Sequence, residues 1–547
     1  TSTGFSVGTQ SHYNGETSST YDMVSHTFRK APGFFDVVTY TGTGSTRLVA
    51  HSLGSVPGTV IVKQRSASES WYVYHRSTGN DKHLLLNSSN SSSNSSAWND
   101  TTPSSTHFTV SNDDVNENNQ TYVAYIFAHD EQSFGDAGNE SIIKCGSYTG
   151  TGAAGNQITL GFEPQWLVVK NTSTGSQNWE MFDNMRGVAT GGIASELFPN
   201  TNSAERNSFN IFNFNATGFE TESTLDETNA NGDNYIYIAI RRPHKPPEAG
   251  TEVFKPELLT SYTQTSTPGF ALDWAWQRPV RNSSDNSFYI GSRLTGNGKY
   301  LNTFTNNAEG SFTSWKFDAP TGKFSQTLTT GSTSGGIQYF FKRAPGFFDV
   351  VAYTGTGSAK TESHNLGVVP EMIWVKDRDS SSFWAVYSSA LGATKYLELS
   401  SNSAAGTSIA TWNNTTPTSS VFTVNSAGSV NTSSNQYIAY LFATLSGISK
   451  VGSYAGTGSN IDVDCGFTAG ARFVFIKRSD SSGDWYVWDS ARGIVAGNDP
   501  YVLVNSAAAE VTNTDYIDPL NAGFTVTSSA PAALNTSGGT YLFLAIA

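Results

Sequence analysis

Lys30-Ala-Pro-Gly-Phe-Phe-Asp-Val-Val-Thr-Tyr-Thr-Gly-Thr-Gly44 returns almost unchanged as Arg343-Ala-Pro-Gly-Phe-Phe-Asp-Val-Val-Ala-Tyr-Thr-Gly-Thr-Gly357, with Ala31 and Ala344 offset by 313 residues. The register holds through His51/His364, Pro57/Pro370 and Trp71/Trp384, and with small insertions to Trp98/Trp412 and Tyr122/Tyr437. A repeat of this length means that one architecture is built at least twice, and that each copy must meet the same packing demands. A finer repeat lies inside it. Gly146-Ser-Tyr-Thr-Gly-Thr-Gly152 and Gly452-Ser-Tyr-Ala-Gly-Thr-Gly458 echo the same opening.

Each copy runs through the same succession. An aromatic-Thr-Gly turn comes first, then an apolar strand ending in lysine (Thr59–Lys63, Trp166–Lys170, Met372–Lys376, Phe473–Lys477). An aromatic strand follows (Trp71–Tyr74, Trp179–Phe182, Trp384–Tyr387, Trp485–Trp488), and a final apolar strand closes the module (Tyr122–Ala128, Tyr235–Ile240, Tyr437–Ala443, Tyr541–Ala547). Short Val-, Ile- and aromatic-rich runs bounded by Gly, Pro, Asn and Ser read as strands and turns. No long segment has a 3.6-residue apolar period. The expected fold is all-β: tandem antiparallel β-sandwich modules, jelly-roll or lectin-like, in an elongated array. The modules are 34–130, 141–243, a divergent 260–343, 344–444 and 447–547, with the triplet as the larger period. Pro243, Pro246, Pro247 and Pro256 predict a stiff linker over 244–259.

Residues 1–33 match only the end of the divergent module: Gly4-Phe-Ser6 and His26-Thr-Phe28 correspond to Lys323-Phe-Ser325 and Tyr339-Phe-Phe341. Half a sandwich leaves an apolar face and open strand edges. A longer natural chain or a neighbouring subunit is therefore expected to supply the missing strands.

Composition narrows the function classes. A net charge of −13 gives no basic field for a phosphate backbone, which argues against nucleic-acid binding. No apolar run reaches the length of a membrane span, so no membrane insertion is expected. Thr1 opens a polar stretch without a signal-peptide pattern, as in a virion protein or a processed secreted one. Cys145 and Cys465 sit at non-equivalent places and read as isolated thiols.

Candidate sites are few. In the aromatic strand, Trp71, Trp179, Trp384 and Trp485 are expected in the structural core. Tyr74, Phe182, Tyr387 and Trp488 lie three positions on, on the opposite sheet face, and are the candidates for stacking on sugar rings, or else for packing between modules. Asp183/Arg186 and Asp489/Arg492 suit a turn held by an ion pair better than catalysis, which would need a second positioned acid or base. Asn112-Asp-Asp-Val-Asn-Glu117 is oxygen-rich, but its counterpart Ser426–Asn431 has lost the carboxylates, so no metal is expected. His51 and His364 have no nucleophile motif beside them. No cofactor and no enzymatic activity are expected.

The run Tyr353-Thr-Gly-Thr-Gly357, Ser363-His-Asn-Leu-Gly-Val-Val-Pro-Glu-Met-Ile-Trp-Val-Lys376, Trp412-Asn-Asn-Thr-Thr-Pro417 and Tyr437-Ile-Ala-Tyr-Leu-Phe-Ala443 resembles a repeat of uncharacterised function common in structural proteins of marine bacteriophages, cyanophages especially. The match is close over 34–130 and 344–444, looser over 141–243 and 447–547, and weak over 260–343. The resemblance implies a virion-surface or extracellular location in a tail fibre or appendage, with homo-oligomeric or other virion partners and contact with host-surface glycans. It carries no catalytic residues. The alternatives are an extracellular filament or capsid-surface scaffold without a ligand, and a secreted carbohydrate-binding adhesin or glycanase module.

Overall fold

In the computed structural model, residues 5–8, 23–130, 133–135, 137–260, 264–279, 288–312, 317, 324–325 and 335–547 are described. The chain is nearly all β, with only single-turn helices such as Ile409–Trp412 among the described residues. It divides into two compact units, residues 1–83 with 93–133, and residues 84–92 with 134–547.

Two sandwich types recur, and both are wholly antiparallel. The first and fourth modules pair a six-stranded sheet with a two-stranded one. In the fourth the order is Phe348–Thr354, Gln436–Phe442, Met372–Asp377, Ala385–Ser388, Lys395–Glu398, Gly406–Thr407, covered by Lys360–Ser363 and Val421–Val424. The second and fifth modules pair five strands with three. The third has the six-plus-two pattern of the fourth, and its edge strand Phe254–Leu259 pairs with Gly336–Phe341. This corrects the linker expected over 244–259. Its last third is sheet, and Pro256 is tolerated because an edge strand has an N–H side that needs no ladder partner.

The Tyr-x-Gly-Thr-Gly motif is explained by one device made four times. The Tyr40, Tyr148, Tyr353 and Tyr454 hydroxyls donate to the carbonyls of Val115, Thr228, Val430 and Leu534 at 2.6–2.8 Å. A Cβ on Gly42, Gly150, Gly355 or Gly456 would collide with the carbonyl oxygen of Glu117, Ala230, Thr432 or Thr536. Beside each glycine, the amide oxygen of Asn116, Asn229, Asn431 or Asn535 accepts from the next backbone N–H at 2.7–3.0 Å. Each tyrosine also stacks on the tyrosine that opens the closing strand, for example Tyr353 on Tyr437 at 5.2 Å.

Each sandwich of the second unit keeps a small core between its two sheets. The large sheets of the third, fourth and fifth modules then turn their outer faces onto one shared core. Strand pairing makes Trp276, Trp374 and Phe475 equivalent positions, opposite Tyr339, Tyr440 and Leu544. These three rings meet pairwise at 5.7 Å (Trp276–Trp374), 5.3 Å (Trp374–Phe475) and 6.2 Å (Trp276–Phe475). Trp384 and Trp485 belong to this shared core. That core lies outside their own sandwiches and joins three modules together.

Candidate functional site

The aromatic strand places both of its rings in packing. Tyr74, Phe182, Tyr387 and Trp488 are 3%, 0%, 1% and 0% exposed. Phe182, Tyr387 and Trp488 lie between the sheets of their own sandwiches, and Tyr74 packs edge-on against Trp98. Alternation puts them opposite the tryptophans, as the spacing indicates, but that face is the interior of the module. The burial removes all four from the sugar-stacking role considered for them, because no ring face is open to a ligand.

The tryptophans and the strand-end lysines form a second, unanticipated constellation at the joints between modules. The Trp384 indole N–H donates to the Asn302 carbonyl at 2.9 Å, and the Lys376 ammonium reaches the Asn306 carbonyl at 3.3 Å. Trp485 donates to Glu398 and Ser401 carbonyls at 3.0 and 3.1 Å, and Lys477 to the Asn402 carbonyl at 3.0 Å. Trp179 donates to the Leu85 carbonyl at 2.9 Å, and Lys170 to the Ser89 carbonyl at 3.1 Å; both acceptors lie in the 84–92 segment of the same unit. The Trp384 and Trp485 clasps each grip the loop after the strand Lys299–Asn302 or Lys395–Glu398 of the preceding module. In the third module Arg278 stands at the lysine position and donates to Ser506, Ala507 and Ala508 carbonyls of the fifth, while the Thr303 hydroxyl donates to Val504. Fourth grips third, fifth grips fourth and third grips fifth, so the contacts close into a ring around the shared core.

Electrostatics fit this use. Lys170, Lys376 and Lys477 are 0% exposed, and burial lowers each ammonium to about 8. The several carbonyls around each one, rather than a single carboxylate, hold the charge in place. Changing Trp384 to phenylalanine keeps an aromatic ring of smaller area and leaves the Asn302 carbonyl without this donor. A loss of about 1–2 kcal/mol is expected, read as a lower urea midpoint at an unchanged slope.

A buried ionic cluster lies at a third kind of joint. Arg343 binds both Glu163 oxygens at 2.6 and 3.0 Å, and Arg242 reaches Glu163 at 3.2 Å. Arg343 also lies 3.7 Å from Asp273 and from Asp349. The Asp–Arg turns take the form expected of them, with Arg186 on Asp183 and Arg492 on Asp489 at 2.6 Å each. Asp489 in addition accepts from the Tyr339 hydroxyl of the third module at 2.8 Å. His51 and His364 are matched structural residues. In each, Nδ1 accepts from the backbone N–H two residues on, which leaves Nε2 to donate to the Ser104 or Thr418 carbonyl at 3.2 Å. In the 112–117 loop, the Asp114 oxygens accept from Tyr72 and Asn112 at 2.8 Å. Cys145 and Cys465 are buried and not disulfide-bonded.

Two groupings have the residue types of chemistry. Glu180 and Glu196 are both 0% exposed and share Arg206. Burial and then the Glu196 carboxyl push Glu180 upward, and the pair is sealed from substrate. A cavity of about 600 Å³ between the second and fourth modules is lined by Glu220, Glu222, Tyr353, Lys360 and Glu362. Burial raises both Glu222 and Glu362 to about 7, with Glu220 adding to the shift at Glu222. A carboxyl raised on folding costs stability as pH climbs from the unfolded value near 4.3 to the folded one, because the unfolded chain ionises first. The Glu222→Gln variant is therefore expected to melt higher than the parent at pH 7.5 and equally at pH 4.5, checked by thermal unfolding at the two pH values.

Antiparallel sandwiches joined by clasps and a shared aromatic core define an all-β tandem-repeat protein. The chain belongs to the family described as Domain of unknown function (DUF7483), whose model matches residues 6–243 and 262–547, with the break at the proline-rich junction. No curated protein matches the sequence.

Proposed function

We propose that the chain is a structural protein, a building block of a virion appendage such as a phage tail fibre, whose work is shape and contact. The observation that supports this most is the clasp. A tryptophan-plus-lysine grip on loop carbonyls recurs from the fourth module onto the third and from the fifth onto the fourth, and the Arg278 grip of the third onto the fifth closes a ring. Repeats whose apolar faces are sealed by their neighbours behave as one stiff body, which suits a part that transmits force or holds a fixed geometry. The resemblance of the Tyr353–Ala443 repeat to phage structural proteins gives the virion reading its direction. The four rings considered for sugar stacking lend no support to a glycan site.

Immunogold electron microscopy with an antibody against the full chain, on virus particles purified from the source of this sequence, tests the proposal. Labelling is expected on a particle appendage. Labelling confined to the soluble fraction, with particles bare, would reject it.

A further inference from the structure

The two halves of the repeat are not equally covered. By strand pairing and offset, the first-module residues Val37, Ile61, Trp71, Val123 and Tyr125 correspond to Val350, Trp374, Trp384, Ile438 and Tyr440 of the fourth. All five fourth-module residues are at most 2% exposed, whereas their first-module counterparts are only half-buried. The segment just before the first module shows the same difference. Phe28 packs on Phe35 and Phe127 at 5.5 Å each, as its counterpart Phe341 packs on Phe348 and Phe442 at 5.3 and 6.4 Å. In the third module, Gly336–Phe341 is an inner strand paired on both sides, and all six of its residues are buried. At the equivalent positions, Met23 is 56% and Val24 43% exposed.

The clasp supplies the independent observation. Lys63 corresponds to Lys376 and keeps its two acceptors within the module: it donates to Gln64 and Ala67 carbonyls at 2.8 and 3.2 Å, the counterparts of Asp377 and Ser380. Among the described residues, Lys63 has no third acceptor in place of the Asn306 carbonyl that Lys376 takes from its neighbour. Lys376 is sealed, and Lys63 is half-buried.

We infer that this face of the first module, with Lys63 and Trp71 at its rim, is the docking surface for a further module of the Phe254–Phe341 type. The occupant's chemistry follows from the filled example. It brings an aromatic face for the Ile61–Tyr125 surface, and a loop whose carbonyl takes for Lys63 the place that Asn306 takes for Lys376. It also brings strands to flank residues 23–28, as Phe254–Leu259 and Trp274–Arg278 flank Gly336–Phe341. Binding would thus join strand addition to side-chain docking.

The test compares the full chain with the same chain carrying an added copy of residues 250–322 ahead of Gly4, the tethered copy serving as the probe. Lys63 is followed by amine labelling and mass spectrometry, and residues 23–30 by hydrogen exchange. In the extended chain Lys63 labelling is expected to slow at least tenfold and exchange over 23–30 at least a hundredfold. Trp71→Ala in the extended chain should return much of the Lys63 labelling. Labelling and exchange within twofold of the unextended chain would overturn the assignment. So would an unextended chain that sediments as a dimer with Lys63 already protected, since a second copy would then be the occupant.

Discussion

Replacing Trp374 with alanine is expected to cost about 3–5 kcal/mol, the range for truncating a fully buried aromatic. It should also weaken three modules at once. The ring is 0% exposed and touches Trp274, Trp276, Phe442 and Phe475, drawn from the third, fourth and fifth modules. The surrounding rings cannot collapse into the void, because each is pinned in its own sheet by strand pairing. Trp374→Phe is the informative control. The Trp374 Nε1 has no hydrogen-bond partner among the described residues, so phenylalanine forfeits ring area and little else. A cost of about 1–2 kcal/mol is expected for the smaller void this exchange leaves. Urea unfolding followed by tryptophan fluorescence and by circular dichroism reads both.

Glu163→Ala is expected to be of similar severity, about 3–5 kcal/mol, because it leaves buried guanidinium charge without its main partner. Arg343 is 2% exposed and Arg242 8%, so water cannot take the place of the carboxylate. The double exchange Glu163→Leu with Arg343→Met should recover much of the loss, since removing both charges also removes the desolvation cost. Burial alone would raise the Glu163 carboxyl, but the Arg343 and Arg242 charges outweigh it and hold it below its ordinary value. The sign follows. A carboxyl lowered on folding lends stability above its unfolded value near 4.3, and that stability fades as pH falls through the lower folded value. The gap between parent and Glu163→Ala is therefore expected to narrow below about pH 4, measured as melting temperature against pH.

Much of this was legible in the residues. The 313-residue offset appears in the structure as matching strand orders. The strand-and-turn punctuation also marked the four aromatic strands. What the sequence could not show was which sheet face is interior. Period-two alternation assigns Trp384 and Tyr387 to opposite faces but is symmetric between them, and here both faces are buried. The clasp was hidden for a related reason. Lys170, Lys376 and Lys477 stand where a lysine ordinarily leaves a sheet for solvent, and only the neighbouring module's loop makes them interior residues. Their recurrence after each apolar strand, eight residues before the tryptophan in Lys376/Trp384 and Lys477/Trp485, was the available signal. The Glu163–Arg343 pair is 180 residues apart in sequence and joins two different modules, so no local pattern announces it. Phe254–Leu259 was misread because proline and charge look the same in a linker and at a sheet edge.

The central claim is that the third, fourth and fifth modules share one core and hold one another through a closed set of clasps. Native-state hydrogen exchange of the full chain in rising urea addresses it directly, by following amides of Trp274–Arg278, Met372–Asp377 and Phe473–Arg478. The three strands are expected to converge on one opening reaction, with a common free energy and a common urea slope. Three distinct free energies with three smaller slopes, one for each module, would show that the sheets unfold independently and would contradict the shared core.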